Sequence, residues 1–193
     1  RRSSDCTEYS ADYIIIATGS SAARLPVEGC GLNGVLTSKE MLDIDAVPER
    51  LCVIGAGVIG LEFASVFAAF GSKVTILEYC REILPRFDSD LAKRLRQSLG
   101  RRGIEIITQA AVQKIRENPD GSLEVDYLRK EKSETIAADK VLMAVGRKAN
   151  VEGLNLELAC VEYSAKGIRV DADMRTTSPT VYAIGDVNGM MML

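Results

Sequence analysis

Histidine is absent from all 193 residues. That removes imidazole acid/base catalysis and histidine-ligated metal sites from what these residues can do. Tryptophan is absent too, and aromatic residues make up only 5% of the chain, so the stacking platforms that hold single-stranded nucleic acid are missing. No sign of charge dominates. The 24 Lys and Arg stand against 27 Asp and Glu, a net charge of −3, whereas duplex-binding proteins carry a basic footprint. No apolar run approaches the roughly 18 residues of a membrane helix; the run at residues 14–17 is far shorter. No signal-peptide pattern is visible. Neither nucleic acid nor membrane is therefore an expected partner. The five cysteines, Cys6, Cys30, Cys52, Cys80 and Cys160, include no close pair of the CxxC kind. They read as reduced thiols of a cytoplasmic protein, with no metal site and no catalytic residue among them.

The rest of the composition is ordinary, with 47% hydrophobic and 26% charged residues, and the length suits one domain or one domain with pieces of another. The chain starts on Arg1-Arg2 without Met and stops on Met190-Met191-Met192-Leu193. Both ends read as cuts through a longer protein.

Residues 13–17 form a short β-branched run that ends at Thr18-Gly19-Ser20 and predicts a buried strand feeding a turn. Thr37-Ser38-Lys39-Glu40 fits a capping box at the start of a short helix. A second buried strand, 51–54, runs into Gly55-Ala56-Gly57-Val58-Ile59-Gly60. The helix that follows places Ile59, Phe63, Val66, Phe67 and Phe70 on one face, and Gly71 stops it. A third strand, 73–77, closes on Glu78. The next helix is capped at Asp88 or Ser89, carries Leu91, Leu95 and Leu99 on one stripe, and is followed by a strand at 104–107. Short alternating strands at 112–117, 122–127 and 134–137 predict a β-meander, with a turn at Asn118-Pro119-Asp120-Gly121. Further strands are expected at 140–145, 167–170 and 181–184.

Gly55-x-Gly57-x-x-Gly60 stands in the context that gives the pattern meaning. A strand precedes it, a helix follows, and an acidic residue closes the next strand at roughly the expected 20-residue offset. Gly55 permits the tight turn, Gly57 lets backbone approach a pyrophosphate, and Gly60 lets helix and strand pack closely. The pyrophosphate would sit on free N–H groups at the positive end of the helix dipole. Glu78 would accept hydrogen bonds from the adenosine ribose hydroxyls and repel a 2′-phosphate, which favours NAD over NADP. Arg81, three positions on, is the one nearby group that argues for NADP.

These motifs resemble the pyridine nucleotide–disulfide oxidoreductase family, and within it the dihydrolipoamide dehydrogenases. The matching elements are Ala17-Thr18-Gly19-Ser20, residues 55–62 (GAGVIGLE), residues 74–78 (VTILE), Ile83-Leu84-Pro85 with Asp88, residues 144–147 (AVGR) and residues 182–186 (YAIGD), in the family's order. The resemblance implies a set of roles. Glu62 would lie near the nicotinamide carboxamide, Val112 would meet the adenine through its backbone, and Gly146 would close over the cofactor. Thr18, Gly19 and Ser20 match the turn that touches FAD, and Asp186 matches the carboxylate of the ribityl or phosphate region. Met192 and Leu193 match the start of a stretch near the isoalloxazine, although residues 190–193 also suit a plain core segment. The family's redox disulfide, its first FAD fingerprint and its catalytic His–Glu pair have no counterpart here.

The expected fold is α/β and Rossmann-like, of the FAD/NAD(P)-binding type, with a parallel sheet carrying helices on one face and a three-stranded β-meander on the other. Residues 48–147 would form the NAD-binding domain, and 1–47 and 148–193 two arms of a flavin domain. The implied function is hydride transfer between NAD(H) and FAD in a dithiol/disulfide oxidoreductase whose whole form is a homodimer. The excised piece would be inactive, bind NAD weakly and hold FAD poorly. A sibling flavoenzyme (an NADH oxidase, a CoA-disulfide reductase or a mercuric reductase) and a non-catalytic dinucleotide-binding module are the alternatives.

Overall fold

The computed structural model describes residues 7–192, so Cys6 and Leu193 lie outside the described residues. The chain forms two compact units, one from residues up to Ser21 with those from Arg147 onward, the other from Ala22–Gly146. The first opens with β1 (Ile14–Ile16) and the start of β2 (Ser20–Ala22), whose last residue falls in the second. The second holds β3 (Val35–Leu36), α1 (Ser38–Met41), β4 (Arg50–Ile54), α2 (Val58–Ala69) and β5 (Lys73–Glu78). It continues through α3 (Ser89–Arg101), β6 (Glu105–Thr108), β7 (Ala111–Glu117), β8 (Leu123–Arg129), β9 (Lys132–Ala138) and β10 (Lys140–Met143). The chain then returns to the first unit with β11 (Arg147–Ala149), β12 (Tyr163–Ser164), β13 (Gly167–Ile168) and β14 (Val181–Ala183).

In Ala22–Gly146, five strands pair all-parallel in the order β3-β10-β4-β5-β6. Their side chains alternate between two cores, as the period of a strand requires. Leu51, Val53, Val74, Ile76 and Leu142 face a core shared with Leu61, Ala64 and Phe67 of α2 and Ala92 and Leu99 of α3. Cys52, Ile54, Leu77, Val141 and Met143 face the opposite core with Val112, Ile115, Leu123, Val125 and Tyr127 of the meander. This is the expected α/β layering, helices on one face and the antiparallel β7-β8-β9 meander on the other. Both faces are covered, which is why β4 and β10 are near-continuous apolar runs. The capping box is present, with the Thr37 N–H donating to Glu40 Oε2, and the helix begins with the Met41 N–H on the Thr37 carbonyl at 2.9 Å. The turn at 118–121 closes through the Gly121 N–H on the Asn118 carbonyl at 2.9 Å.

Four expectations need correction. The face of α2 turned inward is Gly60, Leu61, Ala64 and Phe67, while Val66 and Phe70 are exposed and Phe63 is half-buried. This helix is apolar almost all round, so periodicity alone does not select its rotation. In α3 the buried positions are Ala92 and Leu99, and Leu91 is 54% exposed. The run at 13–17 is a strand at Ile14–Ile16, but Ile14 and Ile15 are exposed, because among the described residues β1 pairs only with β14 and, of its residues, Ile16 packs against the first unit's core. The expected strand at 140–145 stops at Met143, and β11 was not anticipated.

The first unit packs Ala149, Val151, Leu156, Val161, Ile168, Val181, Ala183 and Val187 together. Met192 joins this core, whereas Met190 and Met191 are exposed. Among the described residues, no helix is long and apolar enough to cross a membrane.

Arg50 and Asp139 tie β4 to the turn before β10. The Arg50 N–H donates to Asp139 Oδ2 at 2.7 Å, its Nε donates to Oδ1 at 3.1 Å, and the Asp139 N–H donates to the Arg50 carbonyl at 2.9 Å. The Arg50 side-chain hydrogen bonds hold the Asp139 carboxyl below its ordinary value of 3.8. A lowered pKa contributes stability above the ordinary value that is lost as pH falls through the lowered one. Asp139→Asn therefore costs about 1 kcal/mol at neutral pH, since both side chains are partly exposed. The gap from wild type closes in urea melts run well below pH 3.8.

Candidate nucleotide-binding site

β4 delivers the chain into the glycine turn. Gly55 has φ +104°, and a Cβ there would stand 2.4 Å from the Ala144 carbonyl oxygen of the chain leaving β10. Glycine is required by both backbone conformation and contact. At Gly60 a Cβ would stand 2.1 Å from the Gly55 carbonyl oxygen. Helix and turn meet there at backbone distance. Gly57 differs from both. Its φ is −75°, which any residue adopts, and a Cβ would meet nothing within 4 Å. No contact inside the protein asks for glycine at 57, so the space over it is open to a ligand.

Gly57 is the N-cap of α2, and no acidic side chain occupies the helix's first turn. The N–H groups of Val58, Ile59 and Gly60 have no acceptor within the helix. They form an anion-accepting end. Val58 is exposed, Ile59 half-buried and Ala56 fully buried.

Glu78 stands at the end of β5, 7% exposed. Its Oε2 accepts the Ala56 N–H at 2.6 Å and its Oε1 accepts the Cys80 N–H at 2.7 Å. Sequence reasoning did not anticipate these bonds. Each oxygen keeps a further lone pair for a ribose hydroxyl. Arg81 is exposed. Glu62 is exposed on α2, at an apolar groove of about 380 Å³ lined by Phe63, Val66 and Phe70 and by Met41 and Val47 from the α1 connection. Val112 buries its side chain against the meander-side core, and the register of β7 shifts between Val112 and Lys114. Gly146 has φ +125°, and its carbonyl accepts the Ala23 N–H at 2.9 Å.

In the first unit the structure brings Thr18, Gly19, Ser20 and Asp186 into one network. Thr18 Oγ1 donates to the Asn150 carbonyl at 2.8 Å, Asn150 Nδ2 donates to the Thr18 carbonyl at 2.9 Å, and the Asn150 N–H donates to the Gly19 carbonyl at 3.0 Å. Ser20 Oγ donates to Asp186 and accepts Arg147 Nε at 2.6 Å, while Arg147 Nη2 donates to the Ser20 carbonyl at 2.7 Å. Arg147 Nε also lies 3.5 Å from Asp186 Oδ2. Arg147 and Asn150 were missed as site residues. The only signal was that Arg147 closes the AVGR segment.

No group of metal-ligating side chains exists among the described residues. The four described cysteines are free. Burial pushes the Cys52 thiol up to about 12. Burial, then the neighbouring Glu78 carboxylate, raises Cys80. Thiolate is the reactive form. Among the four described cysteines, iodoacetamide should therefore label exposed Cys160 first and leave Cys52 unmodified until the chain is unfolded, as peptide mass mapping over time would show.

The chain matches the family described as pyridine nucleotide-disulphide oxidoreductase over residues 1–193. It is 43% identical over 186 residues to a dihydrolipoyl dehydrogenase of Acholeplasma laidlawii, covering 93% of this chain and 53% of that protein. It is 37% identical over 183 residues to a dihydrolipoyl dehydrogenase of Bacillus subtilis (strain 168), covering 95% of this chain and 39% of that protein. Among solved structures it resembles the HOCl-induced flavoprotein disulfide reductase RclA of Escherichia coli, with a TM-score of 0.85 and 34% identity over 94% of this chain and 41% of that one. The chain thus spans about half or less of the length of these relatives.

Proposed function

Because the chain belongs to the pyridine nucleotide-disulphide oxidoreductase family, we propose that its glycine turn at residues 55–60 binds NAD(H) as part of a flavin-dependent dithiol/disulfide oxidoreductase. The observation that carries this is Gly57, which no contact inside the protein requires to be glycine. The N–H groups of Val58, Ile59 and Gly60 would take the pyrophosphate. Glu78 would accept the adenosine ribose hydroxyls on its remaining lone pairs and exclude a 2′-phosphate by charge. The backbone at Val112 and Gly146 would flank the cofactor, and Glu62 would reach its nicotinamide end.

In the other unit, Thr18, Gly19, Ser20 and Asp186 would contribute to an FAD site. The partly buried carboxylate of Asp186, oriented by Ser20 and Arg147, suits hydroxyl donors such as those of a ribityl chain. When bound, the nicotinamide and flavin supply the hydride chemistry; the residues of this chain bind and orient them. Similarity to dihydrolipoyl dehydrogenases and to a flavoprotein disulfide reductase supports a dithiol or disulfide as the substrate of the whole enzyme.

Calorimetric titration with NADH and NADPH in parallel tests the reading. NADH should bind at least about tenfold tighter, because Glu78 opposes the 2′-phosphate. Tighter binding of NADPH would assign the specificity to Arg81 instead. No binding of either would reduce the glycine pattern to a turn.

A further inference from the structure

We propose that Glu78 acts on the pyrophosphate as well as on the ribose: with Leu84 it holds the Ala56 peptide at both ends and so aims the amides of the glycine turn. The inference rests on the dinucleotide reading above. Its basis is that the Glu78 carboxylate is buried and points inward. One oxygen takes the Ala56 N–H, 22 residues away in sequence, and the other takes the Cys80 N–H. A carboxylate serving only ribose hydroxyls would need no partner in the glycine turn.

The carbonyl of Ala56 is held as well. It accepts the Leu84 N–H at 3.0 Å. Leu84 has φ +49° and is 8% exposed, a left-handed conformation that a bulky side chain rarely adopts. The following residue, Pro85, biases its predecessor toward extended backbone, which makes the conformation more unusual still. Leu84 is kept there by its surroundings, since Ile83, Leu84 and Ala56 lie in one core. Unusual backbone of this kind persists where packing over-determines it, and it marks a functional constraint.

The consequence follows from glycine's freedom. A turn with three glycines in six residues samples many conformations unless it is tied down. Gly55 is tied by its N–H to the Leu77 carbonyl at 2.8 Å, and Ala56 by Glu78 and Leu84. The chain therefore enters Gly57 in one direction. The amides of Val58 and Ile59 are aimed before a ligand arrives, which lowers the entropy lost on binding.

The test pairs a protein change with a ligand change. Wild type and Glu78→Gln are titrated calorimetrically with ADP and with 2′,3′-dideoxy-ADP. An amide has one acceptor oxygen for the two backbone N–H groups, so Ala56 and Cys80 compete for it and the hold on the turn weakens. Both ligands should then bind about tenfold or more weaker to Glu78→Gln. Removing a negative charge near a pyrophosphate would by itself tighten both ligands, so a loss runs against the electrostatic direction. Equal or tighter binding of dideoxy-ADP to the variant, with ADP alone weakened, would confine Glu78 to the ribose and overturn the inference. Failure of wild type to bind either ligand would overturn the dinucleotide reading and this inference with it. Hydrogen exchange at the Ala56 amide, protected in wild type and faster in the variant, reports the anchor directly. Should Glu78→Gln not fold by circular dichroism, Leu84→Gly serves in its place. It permits the same backbone conformation but releases the core anchor that holds it, and the same loss for dideoxy-ADP is expected.

Discussion

Gly57→Val is expected to remove NADH binding and leave the fold standing, whereas Gly60→Ala is expected to cost stability first. The two positions look equivalent in the sequence pattern and differ in what surrounds them. A Cβ at 57 meets no atom within 4 Å, and φ of −75° suits a valine. Because Gly57 is the N-cap of α2, the substitution costs at most about 1 kcal/mol. On the proposed reading the new side chain fills the space that a pyrophosphate would enter, and affinity should drop at least about a hundredfold, since the fingerprint works through close backbone approach. A methyl at 60 falls 2.1 Å from the Gly55 carbonyl oxygen, which belongs to rigid backbone. Relief requires helix and turn to separate, at about 3 kcal/mol or more. Urea melts and NADH titrations on both variants separate the two outcomes. A Gly57→Val protein that binds NADH like wild type would remove the main support for the site.

The second large effect is Ile76→Ala, expected to cost about 4 kcal/mol. Ile76 is 0% exposed in the middle of β5, opposite Val53 of β4 and Ile106 of β6, in the core under α2 and α3. With parallel strands on both sides and helices above, the cavity has little room to collapse, which places the cost toward the upper end of its range. The urea midpoint should fall with the slope unchanged. Glu78 lies two residues further along the same strand, so NADH affinity should weaken in the same variant. Leu91→Ala is the matched control. At 54% exposure on α3 it should cost less than about 0.5 kcal/mol, although periodicity alone assigns Leu91 to the core.

That control shows where pattern reading stops. Spacing finds α3 and narrows its cap to Asp88 or Ser89, of which the helix uses Asp88, because capping and helix length are local properties. It shifts the buried stripe by one residue at Leu91, since Ala92 is too small to register as an anchor yet fits against the sheet. On α2 the failure has another cause. With Glu62 and Ser65 its only polar residues, the helix offers two usable apolar faces. The close approach of Gly60 to the Gly55 carbonyl selects one of them and leaves Val66 and Phe70 exposed. β4 and β5 are legible as strands because they are short apolar runs, and successive residues can be apolar because they go to two opposite apolar cores.

The sequence by itself determined the order of strand, glycine turn, helix, strand and carboxylate, and with it the α/β class and the location of the candidate site. Those features follow from glycine spacing, apolar runs and cap chemistry within a few turns of chain. Tertiary structure alone decided that Glu78 turns inward to Ala56, 22 positions away, and that Ser20 meets Asp186 across 166 positions. It also decided that Leu84 takes a left-handed conformation to reach the Ala56 carbonyl. A hydrogen bond forms wherever folding brings a donor and an acceptor together, and no local pattern in a chain records which distant peptide will arrive.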